Sequence, residues 1–254
     1  MKKIISFFGG DSNVGTTMIA QSVAEELANK HNQRVLFIMA SCKLGIDYIP
    51  DGSEASLDDI RVNITNRTIV ENDVLGIIGS VNKLDYIPPI KGIETAIYYG
   101  IDDIGQLIEP IAKRYDYFVI DGGCDLNLGL NISALKYATE IYYVVTQSPK
   151  CIRRFNVLKK SILEPLGFEG SIIVNKHINN PVIYSFTQIK EILGAERNYK
   201  VQFVKDGIIA ESESQTLVKL RHAAFESDID LITGDILGKK QTKLGKGHGK
   251  RANR

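Results

Sequence analysis

Cysteine, tryptophan and long apolar runs are scarce or missing in this sequence, and the absences exclude several classes of protein. There is no tryptophan, and the three cysteines, Cys42, Cys124 and Cys151, lack CxxC or histidine spacing, which excludes a disulfide framework and a zinc site. No uncharged apolar run reaches the ~18 residues of a membrane-spanning helix, and the apolar stretch after the first residues is too brief for a signal peptide. We therefore expect a protein of the reducing cytoplasm.

Charge is nearly balanced along the 254 residues, with 31 lysines and arginines against 30 acids, but it is unevenly distributed. Residues 238–254 contain seven of the basic residues and no acid, so the remainder has 24 basic against 30 acidic residues. We interpret residues 1–237 as one domain and residues 238–254 as a flexible basic tail. An acidic body is a poor nucleic-acid surface. The tail is either a weak contact for DNA or anionic membrane, or a solvated end.

Short apolar runs alternate with segments of helical period, which is typical of βαβ units and a parallel sheet. Ile19, Val23 and Leu27 recur every fourth position and predict a helix after the first strand, and residues 101–111 have a similar stripe. We predict an α/β fold, doubly wound, with a mostly parallel sheet and helices on both faces. Residues 40–83 show no regular pattern. The predicted strands are residues 3–8, 34–39, 84–87, 117–120, 140–145, 171–174 and 199–204.

A glycine-rich segment joins the first strand to the first helix. Gly10, Gly15 and Thr17 have the G-x-x-x-x-G-K-[ST] spacing of a phosphate-binding loop, whose backbone N–H groups face an anion beside the positive end of a helix dipole. Thr16 stands where that motif has the lysine that contacts the β and γ phosphates. The residues predicted to surround the phosphates are Gly10, Asp11, Ser12, Asn13, Val14, Gly15, Thr16 and Thr17.

A carboxylate follows the apolar strand at residues 117–120. Asp121 occupies the position of the acidic residue that holds Mg²⁺ in phosphate-binding-loop enzymes. Ligand sites in parallel sheets lie at the carboxyl ends of the strands, so a metal contact explains Asp121 better than a helix cap does. The sequence therefore predicts that Thr17 and Asp121 form the magnesium side of a nucleotide site.

These motifs, taken in chain order, resemble the ParA/MinD family of deviant P-loop ATPases. Besides the loop and Asp121, the segments at residues 144–149, 173–176 and 204–206 are similar to family strands and loops. The resemblance implies bound ATP or ADP with Mg²⁺ and a homodimer. It also implies that Asn175 and Lys176 lie near the base and that Asp206 belongs to the loop that closes the base pocket.

The departures from the family pattern concern the hydrolytic residues. The family's signature lysine after the first loop glycine is Asp11 here, and the acids that normally end the second strand are replaced by Met39, Ala40 and Ser41. The loop centre at residues 14–17 is similar to the lysine-poor loops of the TadZ and CpaE branch. That resemblance implies a hydrolysis-deficient scaffold that positions a Tad/Flp-type pilus or secretion apparatus, at the cell pole or the inner membrane face.

Two other functions remain open from the sequence. One is an active partition or division-site ATPase in which Lys43, in the loop after the second strand, supplies a missing cation. The other is an interaction module that no longer binds nucleotide. The sequence therefore leaves open whether the chain is an enzyme.

Overall fold

The computed structural model describes residues 2–43, 48–49 and 54–239, and these residues contain an eight-stranded sheet. The strand order is β3-β4-β2-β5-β1-β6-β7-β8. The β3 and β4 strands pair antiparallel, and the other neighbours pair parallel. The strands are β1 (Lys3–Gly9), β2 (Val35–Met39), β3 (Gly79–Val81), β4 (Leu84–Ile87), β5 (Tyr117–Asp121), β6 (Glu140–Thr146), β7 (Ser171–His177) and β8 (Asn198–Gln202). This arrangement confirms the predicted α/β, doubly wound fold class.

Helices connect the parallel strands, as crossover connections require. Within the described ranges, no helix has the length and apolar content needed to cross a membrane. The α-helices are α1 (Thr16–Glu25), α2 (Arg61–Thr65), α3 (Glu71–Leu75), α4 (Asp103–Ile108), α5 (Gly129–Lys136), α6 (Pro149–Leu158), α7 (Phe186–Leu193), α8 (Gly207–Ser212) and α9 (Ala223–Ile236). Helices α1 and α6 continue as π-helical turns, Glu26–Lys30 and Lys159–Leu163, and 3-10 turns lie at Leu57–Ile60, Ile93–Tyr98 and Glu109–Ile111.

The apolar core lies on both faces of the sheet. Successive residues of β1 point to opposite faces, so Ile5 and Phe7 belong to one buried cluster and Ile4 to the other. The first cluster contains apolar residues of α1, α6, α7 and α9, and the second contains residues of α2, α3, α4 and α5. The predicted stripe of Ile19, Val23 and Leu27 is fully buried in the first cluster. The central strands are covered on both sides, which explains their nearly continuous apolar sequence.

The structure corrects several predicted boundaries. The predicted strand at 199–204 runs from Asn198 to Gln202, and the half-exposed Phe203 after it still donates its backbone N–H to the His177 carbonyl at 2.9 Å. Strand β7 runs beyond the predicted 171–174 to His177, through an irregularity in its pairing with β8. The unassigned region 40–83 contains α2, α3 and the short β3. Residues 240–254, most of the predicted basic tail, lie outside the described residues, so the tail and the domain boundary at 237 stay predictions.

Candidate functional site

The loop between β1 and α1 is held in place by its glycines. A Cβ on Gly10 would lie 2.7 Å from Val145 Cγ1 and 3.0 Å from the Phe155 ring, so only glycine lets the loop approach β6 and α6 this closely. Gly15 has a φ of +88°, in the left-handed region, and a Cβ there would lie 2.4 Å from Asn175 Nδ2. Gly15 caps α1 without a side chain, so no capping side chain covers the N–H groups that begin the helix. The backbone can therefore offer these donors to an anion.

Thr17 and Asp121 meet beside this loop. Asp121 is the last residue of β5, which pairs with β1, and its side chain is almost fully buried. The Thr17 hydroxyl donates a hydrogen bond of 2.7 Å to Asp121 Oδ2. The structure thus brings together the two residues predicted for the magnesium side. A hydroxyl and a carboxylate are oxygen donors of the kind that Mg²⁺ prefers, so the pair fits that ion.

A cavity of about 510 Å³ opens over the loop at the carboxyl ends of the strands. Pockets for small ligands and cofactors commonly measure about 300 to 1,000 Å³. Three of the predicted site residues, Gly10, Ser12 and Asp206, do not line this cavity. Gly10 packs against β6 and α6, and Ser12 is exposed. Asp206 occupies the position before α8, between two residues that do line the cavity. The predicted residues that line it are Asp11, Asn13, Val14, Gly15, Thr16, Thr17, Asp121, Asn175 and Lys176.

The end of β7 is hydrogen-bonded to the apex of the loop. Asn175 is 5% exposed, and its Nδ2 donates to the Val14 carbonyl at 2.8 Å. The Lys176 ammonium donates to the Asn13 carbonyl at 3.0 Å, and Lys176 itself has a φ of +53°. Left-handed backbone is uncommon for a residue other than glycine. These contacts hold the loop against β7, the strand that the family resemblance placed beside the nucleotide base. The sequence did not predict these hydrogen bonds.

The charges around the loop differ from those of a lysine-containing phosphate loop. Thr16 Oγ1 lies 2.7 Å from the position of a Cβ on Gly9, so its hydroxyl faces the end of β1. Asp11 Oδ1 accepts the Ser12 N–H at 2.9 Å, and Asp11 Oδ2 lies 3.3 Å from Arg154 Nη1 on α6. Lys43, the predicted alternative cation, lines the cavity.

A second wall of the cavity comes from β8, the loop after it, α8, α9 and the segment between the two helices. The family resemblance predicted its part at residues 204–206, as the loop that closes the base pocket, and apolar spacing indicated a strand end at residue 204. The rest of the wall was not predicted. The half-exposed Phe203 and the exposed Ile208 are large apolar groups at the mouth. The residues of this wall are Gln202, Phe203, Val204, Lys205, Gly207, Ile208, Glu211, Leu217 and Phe225.

Cys124 also lines the cavity, three residues after Asp121. Burial raises the pKa of its thiol, and the positive charge of Lys43 opposes that rise only in part. The thiolate is the nucleophilic and metal-binding form of cysteine. The structure therefore gives Cys124 no activated thiolate at neutral pH.

Solved structures with the same fold come from the ParA and MinD ATPases. A ParA family ATPase from Chlorobium tepidum superposes with a TM-score of 0.79 at 20% identity, over 91% of this chain and 97% of that one. The septum site-determining protein MinD of Pyrococcus horikoshii, complexed with Mg-ADP, gives a TM-score of 0.77 at 14% identity, over 93% and 96%. A single-residue variant of Cyanothece McdA, complexed with ATP, gives 0.74 at 17% identity, over 94% and 98%.

Sequence comparison adds nothing to this structural likeness, since no protein-family model and no curated protein sequence matches the chain. Because the structural neighbours are only 14–20% identical to this chain, they establish its fold alone. The chain accordingly has the P-loop fold of the ParA and MinD ATPases over nearly its whole described length.

Proposed function

We propose that this chain is a nucleotide-binding positioning protein of the ParA/MinD type. The observation that carries the proposal is that the glycine loop, the start of α1 and the pair of Thr17 and Asp121 all face one cavity. Backbone N–H groups at a helix start favour phosphate, and the cavity has the volume of a cofactor site. ATP or ADP is the proposed ligand, as in the MinD and McdA complexes.

Thr17 and Asp121 are the proposed holders of Mg²⁺. When bound, the ion would neutralise negative charge on the phosphates. Asn175 and Lys176, which tie β7 to the loop, are proposed to lie beside the base together with the wall around Phe203. In this proposal the two residues hold the loop in shape, because their donors are already bonded to loop carbonyls.

We further propose that the protein hydrolyses ATP poorly or not at all. A cation that stabilises the transferring phosphoryl group can contribute about 10³-fold or more to the rate, by analogy with the arginine finger. Position 16 is threonine and position 11 is an acid. Met39, at the buried end of β2, and the buried Ala40 after it stand in place of acids. In this proposal the protein acts as a scaffold, as a cytoplasmic homodimer that localises a Tad/Flp-type pilus or secretion apparatus.

One observation favours the alternative of an active partition or division-site ATPase. Lys43 and Lys205 both line the cavity, so cations are present although the loop lysine is missing. If either lysine served the transferring phosphate, turnover would be measurable and would fall when that lysine is replaced. Turnover therefore separates the two functions, whereas nucleotide affinity tests the site that they share.

Calorimetric titration of the full chain with ADP and ATP, with and without Mg²⁺, tests the proposed site. We expect binding that Mg²⁺ strengthens, and we expect Thr17→Val to lose that strengthening because it removes the hydroxyl beside Asp121. Thr68→Val is the matched control, since Thr68 is exposed and does not line the cavity. Absence of binding, or Mg²⁺ dependence that survives in Thr17→Val, would contradict the site assignment.

A further inference from the structure

The phosphate loop of this chain carries an anion of its own. Asp11 lines the cavity, and its side chain is 23% exposed. One carboxylate oxygen accepts the Ser12 N–H at 2.9 Å, and the other lies 3.3 Å from Arg154 Nη1. The Asp11 carboxylate thus already occupies one backbone donor of the loop and the nearby Arg154 cation. Any additional negative group brought to this end of the loop must share them or displace the carboxylate.

The lining of the cavity is balanced in formal charge, and the cation that pairs with Asp11, Arg154, lies outside that lining. Among the described residues that line it, three carry negative charge, Asp11, Asp121 and Glu211, and three carry positive charge, Lys43, Lys176 and Lys205. The Lys176 ammonium is bonded to the Asn13 carbonyl. Arg154 is paired with Asp11 and does not line the cavity. Position 16, the first residue of α1, contributes a hydroxyl instead of a cation.

We propose that Asp11 makes this site select nucleoside diphosphates over nucleoside triphosphates; this inference rests on the proposed function. The backbone donors of such a loop cradle the α and β phosphates, and they do not depend on a lysine. The third phosphate adds negative charge, which in ordinary loops is met by that lysine. Here the third phosphate meets the Asp11 carboxylate and no loop lysine. Asp11 is therefore a specificity-determining residue, and Arg154 moderates its charge.

The test measures dissociation constants of Mg-ADP and Mg-ATP for the full chain and three variants by calorimetry. We expect Mg-ATP to bind at least about tenfold more weakly than Mg-ADP, the effect of one unit charge a few ångströms away in a screened protein site. Asp11→Asn keeps the shape of the side chain and should remove most of that difference, mainly by tightening Mg-ATP. Arg154→Gln should enlarge the difference, because it leaves the carboxylate uncompensated.

Asp116→Asn is the matched control. It also removes a carboxylate that pairs with an arginine, Arg34, but it lies at the amino ends of the strands, just before β5 begins. Its ratio of dissociation constants should equal that of the unchanged protein. Equal affinities for the two nucleotides, or a ratio that Asp11→Asn leaves unchanged, would overturn the inference while the proposed function stands. If neither nucleotide binds, both the proposed function and this inference are wrong.

Discussion

Restoring the missing loop lysine by Thr16→Lys should tighten the binding of Mg-ATP. Thr16 begins α1 and lines the cavity, so a longer side chain there can reach a bound phosphate. A hydrogen bond to a charged group contributes about 1.5 to 3 kcal/mol, which is roughly a 10- to 150-fold change in affinity. Asp11 lines the same cavity and attracts the introduced ammonium, so we expect the lower end of that range, about tenfold.

Calorimetry at constant ionic strength measures this change, and a thermal melt checks that the variant remains folded. Thr68→Lys is the matched control, because it adds the same charge at an exposed threonine outside the cavity. Its affinity for Mg-ATP should stay within about twofold of the unchanged protein, since exposed charges further apart than a Debye length are screened. An unchanged affinity in a folded Thr16→Lys protein would refute the reasoning and leave the loop as a structural turn.

Three further predictions concern packing, pH and the tail. Gly10→Ala should lower the free energy of unfolding by about 1 to 3 kcal/mol, because the added methyl overlaps Val145 and the Phe155 ring; an unchanged melting temperature would contradict this. Burial raises the pKa of Glu26 from 4.5 to about 7, so the folded state binds the extra proton. Stability should therefore fall as pH rises from about 4.5 to about 7, and Glu26→Gln should remove that slope in denaturation curves. Deleting residues 238–254 should preserve the fold and abolish low-salt binding to DNA or anionic vesicles; unchanged binding would place those contacts on the body.

The central parallel strands could be predicted because each is buried on both faces and reads as an apolar run. The strand at Leu84–Ile87 matches its predicted bounds, and β1 and β2 differ from theirs by one residue. The short β3 was missed because it is a three-residue edge strand whose residues are only partly buried or exposed. A strand of three residues has too few alternating apolar and polar positions to be recognised in the sequence.

The loop side of the site could be predicted from spacing, whereas for the opposite wall the sequence indicated only the loop at residues 204–206, through the family resemblance. Spacing fixes the order of Gly10, Gly15 and Thr17 along one turn, and Asp121 ends a strand that the fold places beside it. Contacts such as Arg154 with Asp11 join residues 143 positions apart, and no local pattern encodes them. The wall around Phe203 likewise depends on how α8 and α9 return to the sheet. Tertiary packing, rather than local sequence, completes the cavity.

The central claim is that this loop binds nucleotide without hydrolysing it. The most direct measurement incubates the full chain with Mg²⁺ and labelled ATP at saturating concentration, separates the bound label from free nucleotide, and identifies it by chromatography over time. The account predicts that about one nucleotide per chain is retained and that it remains ATP. It would be contradicted if no label were retained, or if the label appeared steadily as ADP in the unchanged protein and this conversion were lost in Asp121→Ala.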